Sequence, residues 1–206
     1  MSHRPGERPR LWIVAGPNGS GKSSLYEDPD IEGFGRSVWI INPDRLAVRV
    51  ADAEHMELAP ANGSALDRIR DWLDASIRAH QTVGVETVLS TPKYRTLVEH
   101  ARRFHFEVRL IYVFLQTGEL NLERVRARVA KGGHAVPEAK ILERRERSFQ
   151  QLPWFLAAAD RAWLYDNSGA EPVLIGQKAD GAIVLQATIP EIERAVTEAS
   201  RLQDQG

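Results

Sequence analysis

Cysteine is absent from this 206-residue sequence. That excludes disulfides, thiolate metal sites and cysteine nucleophiles, and it fits a reducing compartment, so the expected location is cytoplasmic. A dominant charge is missing too. Against 27 Lys and Arg stand 28 Asp and Glu, for a formal net charge of −1. No chain-wide basic field is available to hold nucleic acid by counterion release, so nucleic acid is not the expected partner. No apolar run approaches the roughly 18 residues of a membrane-spanning helix, and no membrane association is expected. The run Leu11-Trp12-Ile13-Val14-Ala15 behind the basic start is too short for the core of a secretion signal. There is no internal repeat and no low-complexity tract. What is there is 43% hydrophobic residues, enough for a sizeable core in a length that suits one domain. Residues 1–9 read as a lead-in, 10–203 as the single domain and 204–206 as a frayed tail.

Short apolar runs alternate with longer helical patterns. Residues 11–15, 38–41, 82–87, 108–115 and 162–165 read as strands. Their unbroken apolarity suits parallel strands covered on both faces. Residues 65–80, 93–104, 119–131, 137–150 and 189–202 carry helical spacing or helix-start signals, and 172–176 with 182–186 suggest a small hairpin. The expected architecture is α/β, a three-layer sandwich around a five-stranded, mainly parallel sheet.

The strongest signal is Gly16-Pro17-Asn18-Gly19-Ser20-Gly21-Lys22-Ser23, which matches G-x-x-x-x-G-K-[ST] in full and sits between a predicted strand and a predicted helix. Glycines let the chain curl so that backbone N–H groups point at phosphate, and the following helix adds its positive end. Gly16, Asn18, Gly19, Ser20, Gly21, Lys22, Ser23 and Ser24 are the expected ATP contacts. Lys22 is placed on the β- and γ-phosphates and the Ser23 hydroxyl on Mg²⁺. The Asn-Lys-x-Asp box of switch GTPases and the Leu-Ser-Gly-Gly signature of transport ATPases are both absent. A small free-standing kinase remains.

Two acids stand at strand ends, where ligands of open α/β sheets bind. Asp44, in Asn42-Pro43-Asp44, could accept the proton of an attacking hydroxyl, or it could cap a helix or a turn; spacing leaves both open. Glu86 could hold the acceptor or a Mg²⁺-bound water, or be a solvated strand-end carboxylate. Thr87, Ser90 and Thr91 offer hydroxyls nearby. Further along, Arg124, Arg126 and Arg128 precede Gly132-Gly133-His134, and Arg144, Arg145 and Arg147 follow it. This reads as a helical lid over about 124–148 that brings arginines to the transferred phosphate. The competing reading is a salt-bridged surface, given Glu138, Glu143 and Glu146. His134 is assigned to packing or hydrogen bonding at the hinge.

Taken together, Gly16–Ser23 with its internal Pro-Asn, Asn42-Pro43-Asp44, Glu86-Thr87, Gly132-Gly133-His134-x-Val136-Pro137, the Arg144 and Arg147 pair and Tyr165-Asp166-Asn167-Ser168 resemble the small zeta-toxin-like P-loop kinases, over about residues 10 to 170. The resemblance implies phosphorylation of the 3′-hydroxyl of the amino sugar in UDP-N-acetylglucosamine by ATP and Mg²⁺. It implies that Asp44 is the base, that Asn42, Glu86 and Thr87 contact the acceptor, and that Arg128 and Arg144 meet the ATP phosphates. It also implies that Asn167 lies near the nucleotide base and that an antitoxin protein can be a partner. The chain is shorter than the plasmid-borne toxins, and the segment between Asp44 and Glu86 has no clear match to them. Related kinases act on other nucleotide-containing acceptors, NAD included. Two other functions fit a P-loop: an ATP-hydrolysing regulatory module and a polynucleotide-end kinase.

Overall fold

Along the first strand Leu11, Ile13 and Ala15 face one way and Trp12 and Val14 the other, and all five are fully buried. A strand buried on both faces belongs at the centre of a covered sheet. In the computed structural model, which describes residues 8–25, 38–132, 135–187 and 189–205, that is where it lies. The strands are β1 (Arg10–Ala15), β2 (Ile40–Ile41), β3 (Val83–Thr87), β4 (Glu107–Phe114), β5 (Arg161–Asp166), β6 (Val173–Ala179) and β7 (Ala182–Leu185). They form one sheet in the order β2-β3-β1-β4-β5-β6-β7. The first five are parallel, as expected. Among the described residues the sheet nevertheless has seven strands rather than five. The hairpin read near the C-terminus is not separate: β6 pairs antiparallel with β5 and β7 with β6. This supplies partners to backbone groups that β5 would otherwise expose as an edge.

The helices are α1 (Lys22–Leu25), α2 (Pro43–Glu54), α3 (Leu58–Arg78), α4 (Arg95–Arg103, entered through a 3-10 turn at Pro92–Tyr94), α5 (Gly118–Ala130), α6 (Glu138–Ala158) and α7 (Pro190–Asp204). One face of the sheet carries the larger core. Ile69, Leu73 and Ile77 of α3, Leu152, Phe155 and Leu156 of α6, and Ile192 of α7 pack there with Leu11 and Ile13. On the other face Trp12, Val14, Leu25, Ile111, Val113 and Trp163 form a second cluster. Trp12 and Trp163 stack with ring centroids 5.7 Å apart, a contact that contributes about 0.5–1.5 kcal/mol beyond area burial. The Arg109 guanidinium lies 5.1 Å from the Trp12 ring centroid and pairs with Glu107 at 2.9 Å.

Several elements differ from their sequence reading. Asn42-Pro43-Asp44 opens a 12-residue helix: Pro43 suits a first turn, where a missing N–H costs nothing. The helix read at 65–80 begins at Leu58, with Pro60 in its first turn. The one read at 137–150 continues through Pro153 to Ala158, held by the buried Leu152, Phe155 and Leu156. Residues 1–7 of the lead-in, Gly133 and His134 of the hinge, and Gly206 of the tail lie outside the described residues. Among the described residues no helix is long and apolar enough to cross a membrane.

Register fixes what meets at the carboxyl edge. Ala15 aligns with Thr87 and Ile41 with Val85, and the Gly16 N–H donates to the Thr87 carbonyl at 3.2 Å. The turns after β1, β2 and β3 therefore open side by side.

Candidate functional site

The Gly-rich turn leaves β1 through backbone conformations that side chains disfavour. Gly16 has φ +143° and Gly21 φ +87°. A Cβ on Gly16 would lie 1.9 Å from the Val113 carbonyl oxygen, and one on Gly21 would lie 2.2 Å from Asn167 Nδ2. A side chain at Gly16 would have to displace the Val113 carbonyl, and one at Gly21 the Asn167 amide, in backbone conformations that L residues disfavour. The loop is propped from outside. Asn121 of α5 donates to the Asn18 carbonyl at 2.6 Å, and Asn167, just past β5, donates to the Ser20 carbonyl at 2.8 Å. Arg124 in turn holds the Asn167 carbonyl at 2.6 Å. Inside the loop the buried Ser20 hydroxyl has no hydrogen-bond partner among the described residues.

Lys22 is only 6% exposed. Its ammonium donates to the carbonyls of Gly16 (2.7 Å) and Pro17 (3.0 Å). Burial lowers its pKa; the Glu86 and then the Asp44 carboxylate oppose that shift, and Arg128 adds to it. Three other residues expected at the site thus act on Lys22. Glu86, at the end of β3, is the junction. Its carboxylate lies 4.0 Å from Lys22 Nζ and accepts from Ser23 Oγ at 3.2 Å and from Asn42 Nδ2 at 2.7 Å. Asn42 also caps α2, its Oδ1 accepting from the Arg45 N–H at 3.1 Å. The cap is therefore Asn42, and Asp44, exposed in the first turn of α2, does not carry it.

Beyond Glu86 opens a cleft of about 630 Å³, within the size range of small-molecule sites. Asp44, Glu86, Thr87, Lys93, Lys140 and Arg144 are among its lining residues. Thr87 Oγ1 also accepts from the Leu89 N–H at 3.0 Å. That turn holds the buried Leu89 at φ +60° and carries Ser90 and Thr91 to the cleft wall.

The six arginines part company. Arg126 pairs with Glu138 at 2.6 Å and Arg147 with Glu143 at 3.4 Å, both on the surface. Arg124 holds Asn167. Arg145 donates to the Gln116 carbonyl at 3.0 Å and lies 3.5 Å from Glu191 of α7. Arg144 lines the cleft and Arg128 acts on Lys22. Ser24, the remaining expected loop contact, is exposed one residue past Ser23. Sequence reasoning does not reach Asn121, Lys93 or Lys140. The Thr-Pro-Lys at 91–93 is a helix-start signal whose lysine could have been followed to the same edge as Glu86.

A propped Gly-rich loop with its lysine, at the carboxyl edge of a parallel sheet, defines a P-loop domain of kinase-like α/β fold. The chain belongs to the AAA_33 family of AAA domains, which matches residues 11–152. It is 30% identical over 145 residues to an uncharacterized protein of Haemophilus influenzae, an overlap covering 64% of this chain and 94% of that protein. Among solved structures it shares its fold with the AvrRxo1-ORF1:-ORF2 complex determined with ATP (TM-score 0.66, 17% identity). There 95% of this chain is covered, but it spans only 64% of the matched chain's length. The PezAT chromosomal toxin–antitoxin system of Streptococcus pneumoniae gives TM-score 0.60 at 13% identity, covering 97% of this chain and 86% of that one. A kinase-described structure from Chloroflexus aurantiacus gives TM-score 0.53 at 19% identity, over 68% of this chain and 80% of that one.

Proposed function

We propose that this protein is an ATP-dependent kinase that phosphorylates a hydroxyl of a small nucleotide-containing acceptor, with UDP-N-acetylglucosamine the first candidate. One observation carries the reading: a small-molecule-sized cleft lined by Asp44 and Glu86 opens beside the loop, with the Glu86 carboxylate 4.0 Å from Lys22 Nζ.

The loop's own groups fit a triphosphate. The Ser20 hydroxyl is buried without a partner among the described residues, and Lys22 is held by loop carbonyls that a phosphate can replace. The Ser23 hydroxyl and Glu86 carboxylate are hard oxygen donors of the kind magnesium takes; they would hold a bound Mg²⁺, which would neutralise charge developing on the transferred phosphate. Gly16, Asn18, Gly19, Ser20, Gly21 and Ser24 form the cradle, while Asn42 and Glu86 fix the side of the cleft nearest the phosphates. Asp44 takes the proton of the acceptor hydroxyl as its oxygen bonds to the γ-phosphorus. The bond from that phosphorus to the β,γ-bridging oxygen breaks, and ADP leaves. Lys22, Arg128 and Arg144 stabilise charge on the transferring group. Little covalent chemistry is asked of the chain, because phosphoryl transfer depends on alignment and charge. Thr87 contributes the cleft floor, and Asn167 supports the loop from behind.

The test is incubation with labelled ATP, Mg²⁺ and a panel of nucleotide sugars, nucleosides, NAD and a 5′-hydroxyl oligonucleotide, with products read by mass spectrometry. A new phosphorylated small molecule, lost in Lys22→Ala, is expected. ATP hydrolysis with no phosphorylated acceptor would replace this reading with a regulatory ATPase, and a phosphorylated oligonucleotide end with a polynucleotide kinase. A toxin role, with an antitoxin partner, predicts growth arrest on expression that a neighbouring gene's product relieves.

A further inference from the structure

We infer that the cleft beside Asp44 recognises its ligand through a phosphate or diphosphate group, held by Lys93, Lys140 and Arg144. The word acceptor for that ligand rests on the kinase reading above; the anion site rests on the cleft itself.

Three cations from two separate elements line one cavity. Lys93 comes from the turn that leads into α4, while Lys140 and Arg144 lie four residues apart on α6 and so share a face of that helix. Across from them the cleft holds two carboxylates, Asp44 and Glu86. Glu86 is already engaged by Asn42, Ser23 and Lys22, so Asp44 alone is left to balance three positive charges. Among the described residues none of the three forms an ion pair. Their neighbours that face outward do: Arg126 pairs with Glu138 and Arg147 with Glu143. Arg126 on α5 and Arg147 on α6 are thus matched by carboxylates, while among the described residues Lys140 and Arg144 on α6 are not. Cations crowded in a cavity repel one another, and a bound anion relieves that repulsion. Burial is the main cause of the lowered pKa of Lys93; Asp44 opposes the shift, and Arg144 is near enough to add to it.

The rest of the wall suits what such an anion carries. Val48, Leu58 and Leu66 on the α2–α3 side and Val136 and Pro137 on the α6 side add apolar surface to the lining. A phosphorylated molecule with a base can use both the cations and this surface; a free neutral sugar leaves the cations unused. Lys93 and Lys140 are therefore specificity-determining residues, separate from the phosphate loop that takes ATP.

The experiment fills the loop with a non-hydrolysable ATP analogue and Mg²⁺, then titrates inorganic pyrophosphate by calorimetry. One pyrophosphate per nucleotide-loaded chain is expected. Its Kd should rise at least tenfold in Lys93→Met, stay within about threefold in Lys93→Arg, and weaken with salt. Affinity for the ATP analogue and the melting temperature should not change in either variant. No pyrophosphate bound to the loaded protein, or equal binding by wild type and Lys93→Met, overturns the inference. This readout needs no turnover, so it stands apart from the acceptor panel. Failure of the panel removes the kinase reading and leaves the anion site decided by the titration. Where the panel succeeds, UDP-N-acetylglucosamine should be used at least tenfold better in kcat/KM than N-acetylglucosamine; equal use of the two overturns the inference.

Discussion

Replacing Asn167 with alanine separates two roles for one side chain: contact with the nucleotide base, as the resemblance to zeta-toxin-like kinases implies, and support of the phosphate loop, as its hydrogen bonds indicate. Its amide donates to the Ser20 carbonyl at 2.8 Å, in a place where Asn167 is 7% exposed and Ser20 fully buried. Removing the donor leaves a buried carbonyl unsatisfied, at a cost of about 1–3 kcal/mol. In a domain of this size that corresponds to a fall of roughly 2–12 °C in Tm, at about 2–4 °C per kcal/mol. The loop also loses the contact that holds it shaped for phosphate. Binding of ATP, GTP and inorganic triphosphate should therefore weaken together, by about tenfold or more if the loop's shape carries that energy. The assay is thermal unfolding of the nucleotide-free variant beside calorimetric titration with the three ligands. An unchanged Tm together with an altered preference for ATP over GTP, and intact triphosphate binding, would refute the support argument.

Asp44→Asn should lower kcat by about 10²–10⁴-fold while leaving ATP affinity within twofold, measured by steady-state kinetics and nucleotide titration; loss of folding instead would mean that the residue serves α2. Arg144→Ala should lower turnover with Tm unchanged, whereas Arg145→Ala should lower Tm, because Arg145 joins the Gln116 carbonyl to Glu191; calorimetry and kinetics on both variants check the contrast. Lys178 is buried with its ammonium on the Leu156 and Ala157 carbonyls, and burial lowers its pKa to about 8 from an ordinary 10.5. Below pH 8 both folded and unfolded chains hold the proton and the cost of burying the charge is fully present. Between pH 8 and 10.5 the unfolded chain holds more protons, so this residue's contribution to stability should rise with pH. Denaturant unfolding across that window should show a shallower rise in Lys178→Met than in wild type; equal slopes in the two would refute the assignment.

Much of this molecule is legible in its sequence, and the parts that are not have physical reasons. The loop from Gly16 to Ser23 declares itself because its conformation demands glycine at fixed places. Strands β1, β4 and β5 are readable because burial on both faces favours apolar runs, and β3 through the Val83-Gly84-Val85 run that leads to Glu86. The helix α2 is hidden, since Asn42-Pro43-Asp44 is equally good turn chemistry and α2 is only weakly apolar. Its neighbour α3 hides its start behind Pro60 and Gly63, which propensity alone would exclude. The arginines show the deeper limit. Spacing puts Arg144 and Arg147 on neighbouring positions of one helix, yet Arg144 faces the cleft and Arg147 meets Glu143. The rotation of α6 that divides them is set by burial of Ile141, Ser148 and Phe149, a tertiary fact that no local pattern carries. Ser148 is buried against the Tyr112 hydroxyl at 3.0 Å, a pairing 36 residues apart that helps hold that rotation.

The family match ends at residue 152, inside α6. The stretch after it is no appendage. It holds β5, which lines up with β4 over six residue pairs, and Asn167, whose amide reaches back across 147 positions to the first turn of the chain. A fragment trimmed to the matched boundary would keep every letter of the Gly-rich motif and lose the brace that shapes it. Such a truncation would be expected to express as a chain with an intact signature and no grip on nucleotide.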